Sequence, residues 1–237
     1  MTLAEVREKL RESASPAYAE VAQRFFKTAP GEYGHGDRFL GVRVPALRKL
    51  VRECDALTLA DLTTLLDSPW HEERVLALLA LVRNYAKRED ERAAIYKLYL
   101  AKTDRVNGWD LVDASAEHIL GPHLLDRSRT PLTKLARSHS VWERRMAILA
   151  TFHFIKRNEF HETLRIAELL LHDDHDLIHK AVGWMLRETG QRDRPVEETF
   201  LREHAAEMPR TMLRYALEKF PEPLRKRYLG MKAAKSS

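Results

Sequence analysis

The spacing of the helix-start signals restricts the fold of this chain more than any other feature of its sequence. From residue 68 onward, residues that favour a helix start recur at intervals of about 33 to 39 positions, and each interval holds a second helix after a short break. A helical hairpin that recurs at this period is typical of an α-solenoid, in which each hairpin buries its apolar face against its neighbours. The predicted starts are Ser68 with Pro69, Asn107, Ser140, Asp174, and Met208 with Pro209.

Capping signals predict that the segment before the repeats is helical as well. Thr2 and Glu5 have the spacing of a capping box, and Ser15 precedes Pro16 as an N-cap precedes a first helical residue. With only 9 Gly and 10 Pro and no segment of strand periodicity, we expect an all-α fold. The predicted early helices cover residues 2–13, 15–27, 45–54 and 58–66, with an irregular connector at 28–43; breaks within the repeats are expected at 88–89, 121–122, 158 and 193–195.

Several first helices of the repeats share a basic residue that is followed by small and apolar residues, and this pattern favours the HEAT-like class of hairpin repeats. Equivalent helices of a solenoid line one concave surface, so the shared cations predict a curved fold with a concave basic groove. A net charge of +5 and a pI near 9.3 agree with a polyanionic partner. The alternative is that these cations belong to an ordinary solvated helix surface. The shared basic residues are Arg74, Arg145, Lys180 and Arg214.

Length and apolar content set the expected domain organisation and location. We expect a single solenoid domain over residues 1–229 and a disordered tail at 230–237. The longest apolar run, Val75–Val82, is too short to span a bilayer, and the charged N-terminal segment shows no secretory signal. A single cysteine, Cys54, fits a reducing compartment. We therefore expect a cytoplasmic monomer with no membrane partner.

The stretch from Asn107 to Asp113 interrupts the series of basic residues. Asn107 is a good N-cap, and Asp110 is placed to bond back to it. Trp109 and Asp113, one helical turn apart, fall at the edge of the apolar face, whereas Asp110 points away from that face. A ring and a carboxylate at a border between core and solvent predict a cleft. The apolar face itself is formed by Val112, Ala116, Ile119 and Leu120.

A carboxylate beside a phosphate backbone is unfavourable unless positive charge meets it. Cleavage of an N-glycosidic bond develops such charge on the sugar, and aromatic rings nearby can contact the deoxyribose or a cationic base. The plain alternatives are core packing for the tryptophans and an intrahelical or capping partner for Asp113. The aromatic candidates are Phe25, Trp109, Trp142 and Trp184.

Four segments together make the chain resemble the AlkD-like DNA alkylation-repair glycosylases, a family with HEAT-like repeats. The resemblance extends over nearly the whole length. The segments are Phe39-Leu40-Gly41-Val42 with Pro45, Trp109-Asp110-Leu111-Val112-Asp113, Trp142 with Arg145-Met146-Ala147-Ile148-Leu149, and Lys180-Ala181-Val182-Gly183-Trp184-Met185-Leu186-Arg187-Glu188.

The resemblance implies an enzyme that excises positively charged N3- and N7-alkylated purines from duplex DNA without flipping the base. In such an enzyme Asp113 supports cleavage at the sugar, Trp109 and Trp184 contact that sugar, and Arg145 and Arg187 approach the DNA backbone. The resemblance implies no metal and no cofactor, and it makes the protein a monofunctional glycosylase of base excision repair that associates with the nucleoid.

This chain departs from the family pattern at two positions, and two other function classes stay open. Phe25 stands where a tyrosine that contacts DNA is expected, and Gly108 stands where a second tryptophan can occur. The other classes are a catalytically silent DNA-binding repeat protein and a protein-interaction scaffold, because a fold and a charge do not by themselves demand chemistry.

Overall fold

The computed structural model describes residues 1–231, and within this range every regular element is helical. An isolated β-bridge joins Arg38 to Trp70. Contacts between Cα atoms divide the chain into two compact units, the first of which is Met1–Ser115 and the second of which begins at Ala116. The expected all-α helical-repeat fold is confirmed. The tail predicted at 230–237 lies, from residue 232 onward, outside the described residues.

The first unit contains seven α-helices among its described residues, with short 3-10 helices at Val51–Glu53, Glu89–Glu91 and Thr103–Arg105. Helix α4 packs against α5, and both α1 and α3 contact α5 as well. The long α5 is therefore the central element of this unit. The helices are α1 (Leu3–Glu12), α2 (Pro16–Phe25), α3 (Val44–Leu50), α4 (Leu59–Leu66), α5 (His71–Lys87), α6 (Arg92–Ala101) and α7 (Trp109–Asp113).

The second unit contains nine α-helices among its described residues, with a 3-10 helix at Leu217–Lys219. Its hairpins stack in sequence, since α10 packs against α8, α9 and α13, and α13 packs against α14 and α15. The helices are α8 (Ala116–Leu124), α9 (Thr130–Ala136), α10 (Val141–Ala150), α11 (Phe152–Ile155), α12 (His161–Leu169), α13 (Asp176–Arg192), α14 (Arg194–His204), α15 (Arg210–Ala216) and α16 (Glu222–Leu229).

Local capping rules located most helix starts correctly. Thr2 forms its capping box with Glu5, and Ser15 caps the helix that opens with Pro16. Thr58 caps α4, and the Ser140 side chain accepts a hydrogen bond from the Glu143 N–H at the start of α10. The break predicted at 193–195 is also present, because Asp193 ends α13 and caps α14.

Several of the predicted boundaries are wrong. Helix α5 starts at His71 after the N-cap Trp70, not at Ser68 with Pro69. Gly108, not Asn107, is the N-cap of α7, and His175, not Asp174, caps α13 through its ring nitrogen. The break expected at 121–122 does not occur, because α8 continues through Pro122. Gly121 lies close to the next helices, since a Cβ there would be 2.4 Å from His153 Cβ and 2.8 Å from the Ala150 carbonyl oxygen.

The apolar face predicted for the segment after Trp109 is confirmed. Val112, Ala116, Ile119 and Leu120 are fully buried. No helix in the described range 1–231 has the length and apolar character needed to cross a membrane.

Candidate functional site in the first unit

Helix α7 carries the indole and the carboxylate that the sequence singled out. Trp109 opens the helix and Asp113 ends it, one turn later, and both side chains are half-buried. Leu111 and Val112 between them are fully buried and anchor the helix in the core of the unit. The helix therefore presents a ring and an acid side by side at the border of the core, as expected.

Aromatic side chains of α2 and its following turn surround the indole. The Phe26 ring stacks on Trp109 with centroids 5.2 Å apart and planes 17° apart. Phe25 contacts the same indole edge-on at 5.8 Å and is itself 63% exposed. The Phe39 ring stacks on Phe26 in turn, with centroids 5.1 Å apart. Phe25 thus lies beside Trp109, where a ligand of the indole would also meet it.

A buried histidine lies directly beneath these rings. His71, the first residue of α5, makes two hydrogen bonds of 2.7 Å: Nδ1 with Asp37 Oδ2 and Nε2 with Asp110 Oδ2. Its ring also stacks on Phe39 at 4.6 Å. Burial lowers the pKa of His71, but the hydrogen bonds and charges of Asp110 and Asp37 outweigh it and raise the pKa to about 9. At neutral pH the ring is therefore a cation that donates to both carboxylates.

Arg74 completes this ionic cluster rather than facing outward. It is 3% exposed, and its Nη2 donates to Asp37 Oδ1 at 2.7 Å. Burial raises the pKa of Asp37, but the hydrogen bond and charge of His71 together with Arg74 outweigh it, and the pKa falls below its usual value. The position of Arg74 favours a structural role over the DNA contact predicted for it.

Asp110 contradicts the role expected from its spacing to Asn107. Instead of capping α7, its Oδ2 pairs with His71, while Oδ1 is buried and has no hydrogen-bond partner among the described residues. The backbone at Gly108 lies against the same pair, since a Cβ there would meet Asp110 Oδ1 at 3.0 Å and His71 Cε1 at 3.4 Å. A side chain at position 108 would therefore lie in contact with both members of this pair.

The connector at 28–43 is held in place by Glu72, a buried acid of α5. Glu72 accepts hydrogen bonds from the N–H groups of Leu40, Gly41 and Val42, at 2.8 to 3.1 Å. Gly41 has φ +82°, and a Cβ there would lie 2.1 Å from the Ser15 carbonyl oxygen, so only glycine fits. The connector is thus held in place, and it brings Asp37 and Phe39 to the site.

A cavity of about 390 Å³ opens between α2, α5 and α7. Its wall is mainly aromatic and aliphatic, and its polar groups come from His71, Glu72 and Asp110. Apolar cavities of this size with a few convergent polar groups are the usual form of ligand sites. The aromatic residues that line it are Tyr18, Phe25, Phe26, Phe39 and Trp109.

Predicted site residues of the second unit

Trp184 and Arg187 form a connected pair on α13. The indole of Trp184 is half-buried, its Nε1 donates to Glu188 Oε1 at 3.0 Å, and its ring meets Phe152 edge-on at 5.9 Å. Arg187 donates to the same Glu188 oxygen at 3.4 Å and forms an ion pair with Glu218. Glu188 therefore ties the indole to the guanidinium, and both predicted functional groups are held in defined positions.

Trp142 and Arg145 are buried on α10, with relative exposures of 9% and 5%. Arg145 Nη1 donates to the Leu177 carbonyl oxygen of α13 at 2.6 Å. Trp142 is thus placed as the core-packing alternative describes, and Arg145 links two hairpins of the second unit. Contacts of these two residues with DNA remain predictions.

The two remaining cations lie at the surface. Lys180 is half-exposed and pairs with Asp176 one turn earlier at 2.6 Å, and Arg214 on α15 is exposed. Within the described part of the chain, no cluster of His, Cys, Asp and Glu side chains is arranged to hold a metal ion.

Comparison with known proteins

The fold and the site define a class: helical-repeat proteins that carry a tryptophan and a carboxylate on one short helix. Residues 6–220 match the model of a family described as DNA alkylation repair enzyme, and the chain belongs to this family. The resemblance inferred from the sequence is therefore confirmed at the level of the family. Membership supports a role in the repair of alkylated DNA.

A solved structure supports the fold. The chain is similar to a protein described as a predicted DNA alkylation repair enzyme from Enterococcus faecalis, with a TM-score of 0.67 and 17% sequence identity. The similarity covers 89% of this chain and 98% of that chain. The comparison with curated proteins found no match.

Proposed function

We propose that the protein is a monofunctional DNA glycosylase that excises cationic N3- and N7-alkylated purines from duplex DNA without base flipping. The observation that carries the proposal is the pair on α7, an indole and a carboxylate one turn apart and half-buried, in a chain of the alkylation-repair family. The protein acts as a cytoplasmic monomer, and it associates with the nucleoid by binding its duplex DNA substrate.

In the proposed reaction Asp113 meets the positive charge that develops on the deoxyribose. The alkylated base is already cationic, so it leaves without a general acid, and the carboxylate stabilises the oxocarbenium-like sugar and orients the attacking water. Trp109 contacts this sugar, and the resemblance assigns a sugar contact to Trp184 as well. Arg187, Lys180 and Arg214 interact with the phosphate backbone. The DNA contact of Arg145 is implied by the resemblance only, because this side chain is buried and bonded to Leu177. The mechanism requires no metal, cofactor or lysine Schiff base.

Asp113→Asn tests the catalytic assignment. The substitution removes the charge that stabilises the sugar cation, so we expect release of 7-methylguanine from methylated duplex DNA to fall about 100-fold or more. Duplex affinity should stay equal or increase, because an acid near phosphates is lost. Single-turnover release measured by chromatography, with binding measured on the same duplex, separates the two effects.

Asp104→Asn is the matched control, since Asp104 is an exposed acid of the same unit. It should keep wild-type activity. Undiminished base release by Asp113→Asn would contradict the proposal. Duplex binding without any base release by the wild-type protein would favour the silent DNA-binding alternative, and the absence of both would favour the scaffold.

A further inference from the structure

His71 is a buried residue through which three separate parts of the first unit are joined. It starts α5, it holds Asp37 from the connector, and it holds Asp110 from α7, with both hydrogen bonds at 2.7 Å. The side chains of His71 and Asp37 are only 4% and 7% exposed. Arg74 donates to the other carboxylate oxygen of Asp37, and its Nη2 lies 3.5 Å from His71 Nδ1. We call these four residues the His71 clamp.

Two connections join the clamp to Trp109. Asp110, a member of the clamp, follows Trp109 in the chain and lies in the first turn of α7. The Phe26 ring contacts both side chains, lying 4.9 Å from His71 and stacking on Trp109 at 5.2 Å. A movement of His71 would therefore shift the indole through the helix backbone and through the ring beside it.

Stability alone is a weak reason for such a cluster. Buried ion pairs often contribute no more to stability than apolar side chains of the same volume, because desolvation offsets much of their attraction. Their hydrogen bonds, however, allow only one geometry, and a site that must meet a transition state depends on fixed geometry.

We propose that His71 is a positioning residue, which through Asp110 and Phe26 fixes the orientation of the Trp109 indole at the site of base release. The inference rests on the proposed function, because it assigns His71 a part in the reaction through Trp109. In this role His71 acts through Asp110 and Phe26 and not through a bond to the sugar.

The orientation of the indole is measured first, without reference to activity. The chain has 4 Trp, and the indole N–H signal of Trp109 is identified in a ¹⁵N NMR spectrum by its loss in Trp109→Phe. His71→Gln removes the cation and can bond to one acidic neighbour only, so we expect that signal to shift or broaden. The signals of Trp142 and Trp184, which lie in the second unit, should stay in place, whereas Trp70 adjoins His71 in the chain and is not a reference signal. Asp110→Asn keeps an acceptor oxygen for His71 Nε2 but no charge, and it should cause a smaller shift.

Single-turnover base release and duplex affinity are measured second. We expect His71→Gln to slow base release about 10- to 100-fold, because small displacements of positioning groups have effects of this size. The Kd for methylated duplex should change less than about 3-fold. If His71 acts through Trp109, the double variant Trp109→Ala/His71→Gln is no slower than Trp109→Ala. His35→Gln, an exposed histidine of the connector, is the matched control and should behave as wild type.

The possible failures are distinguishable. An unchanged Trp109 signal in both His71→Gln and Asp110→Asn, or additive losses of rate in the double variant, would overturn the positioning role. If His71→Gln unfolds, as judged by circular dichroism, Asp110→Asn provides the same readouts. Wild-type base release by Trp109→Ala would instead contradict the proposed function, and the NMR result would still decide whether the clamp orients the indole.

Discussion

Asp110 and Asp113 lie on the same short helix and have different surroundings. Asp110 is held by His71, a residue 39 positions earlier in the chain, whereas Asp113 lies at the other end of α7, half-buried at the edge of the core. Helical periodicity identified the border position of Asp113. Capping rules, which consider neighbours three or four residues away, assigned Asp110 to the wrong partner. The acidic neighbours of His71 could not be inferred from spacing, because the fold alone brings residues 37, 71 and 110 together.

The raised pKa of His71 makes stability depend on pH. The folded state holds a proton that the unfolded state loses above about 6.5, so the free energy of unfolding should fall as pH rises from about 6.5 through about 9. The expected loss is on the order of 3 kcal/mol. Urea unfolding of wild type and His71→Gln across this range measures it, because the variant lacks this contribution.

The difference between the two proteins is the quantity to compare. Glu197, buried in the second unit with its pKa raised by burial to about 8, titrates in the same window and affects both proteins equally. Asp110 and Asp37 face His71 and raise its pKa, and Arg74 lies in the same cluster. Parallel pH curves for wild type and variant would show that His71 is not charged in the folded protein.

At the scale of the elements, the sequence predicted the helices and most of their N-caps. It did not predict every helix boundary. The starts at Thr2, Ser15, Thr58 and Ser140 follow from local side-chain hydrogen bonds, which the sequence contains. The continuation of α8 through Pro122 was not predicted, because a proline inside a helical pattern normally marks a break.

Gly183→Ala tests how closely α13 and α15 pack. A Cβ at this position would lie 2.4 Å from the Met212 carbonyl oxygen and 2.5 Å from Tyr215 Cβ, so α15 must move away. We expect a loss of about 1 to 3 kcal/mol in the free energy of unfolding, although alanine favours a helix over glycine by up to about 1 kcal/mol. Thermal unfolding measures the change. Gly230→Ala, where the nearest atom is 3.3 Å away, should be nearly neutral, and equal melting temperatures of the two variants would refute the packing explanation.

At the scale of the whole molecule, the net charge of +5 is the difference between 40 basic and 35 acidic residues, and periodicity alone did not locate the basic side chains. The shared register predicted equivalent roles for four basic residues, but Arg74 and Arg145 are buried and Arg214 and Lys180 lie at the surface. Periodicity therefore identified equivalent positions in the repeats, whereas the direction and partners of each side chain depend on local packing.

Salt dependence of duplex binding tests the electrostatic part of the proposed function. Each phosphate contact should contribute about −0.9 to the slope of log K against log salt, so Lys180→Gln should make the slope less steep by about that amount. Lys134→Gln, which removes the same charge from the exposed side of α9, should leave the slope unchanged. Identical slopes for wild type and both variants would argue against a phosphate contact at Lys180.

The connection of residues 37, 71 and 110 has a consequence for how this protein can vary during evolution. The three positions lie in a connector and in two different helices, so a substitution at one of them alters the surroundings of the other two. Gene recombination that exchanged only residues 107–113 with a distant relative would transfer the indole and the carboxylate but leave their support behind. We expect these three positions to be inherited together, and transplants of the site to other scaffolds to require all of them.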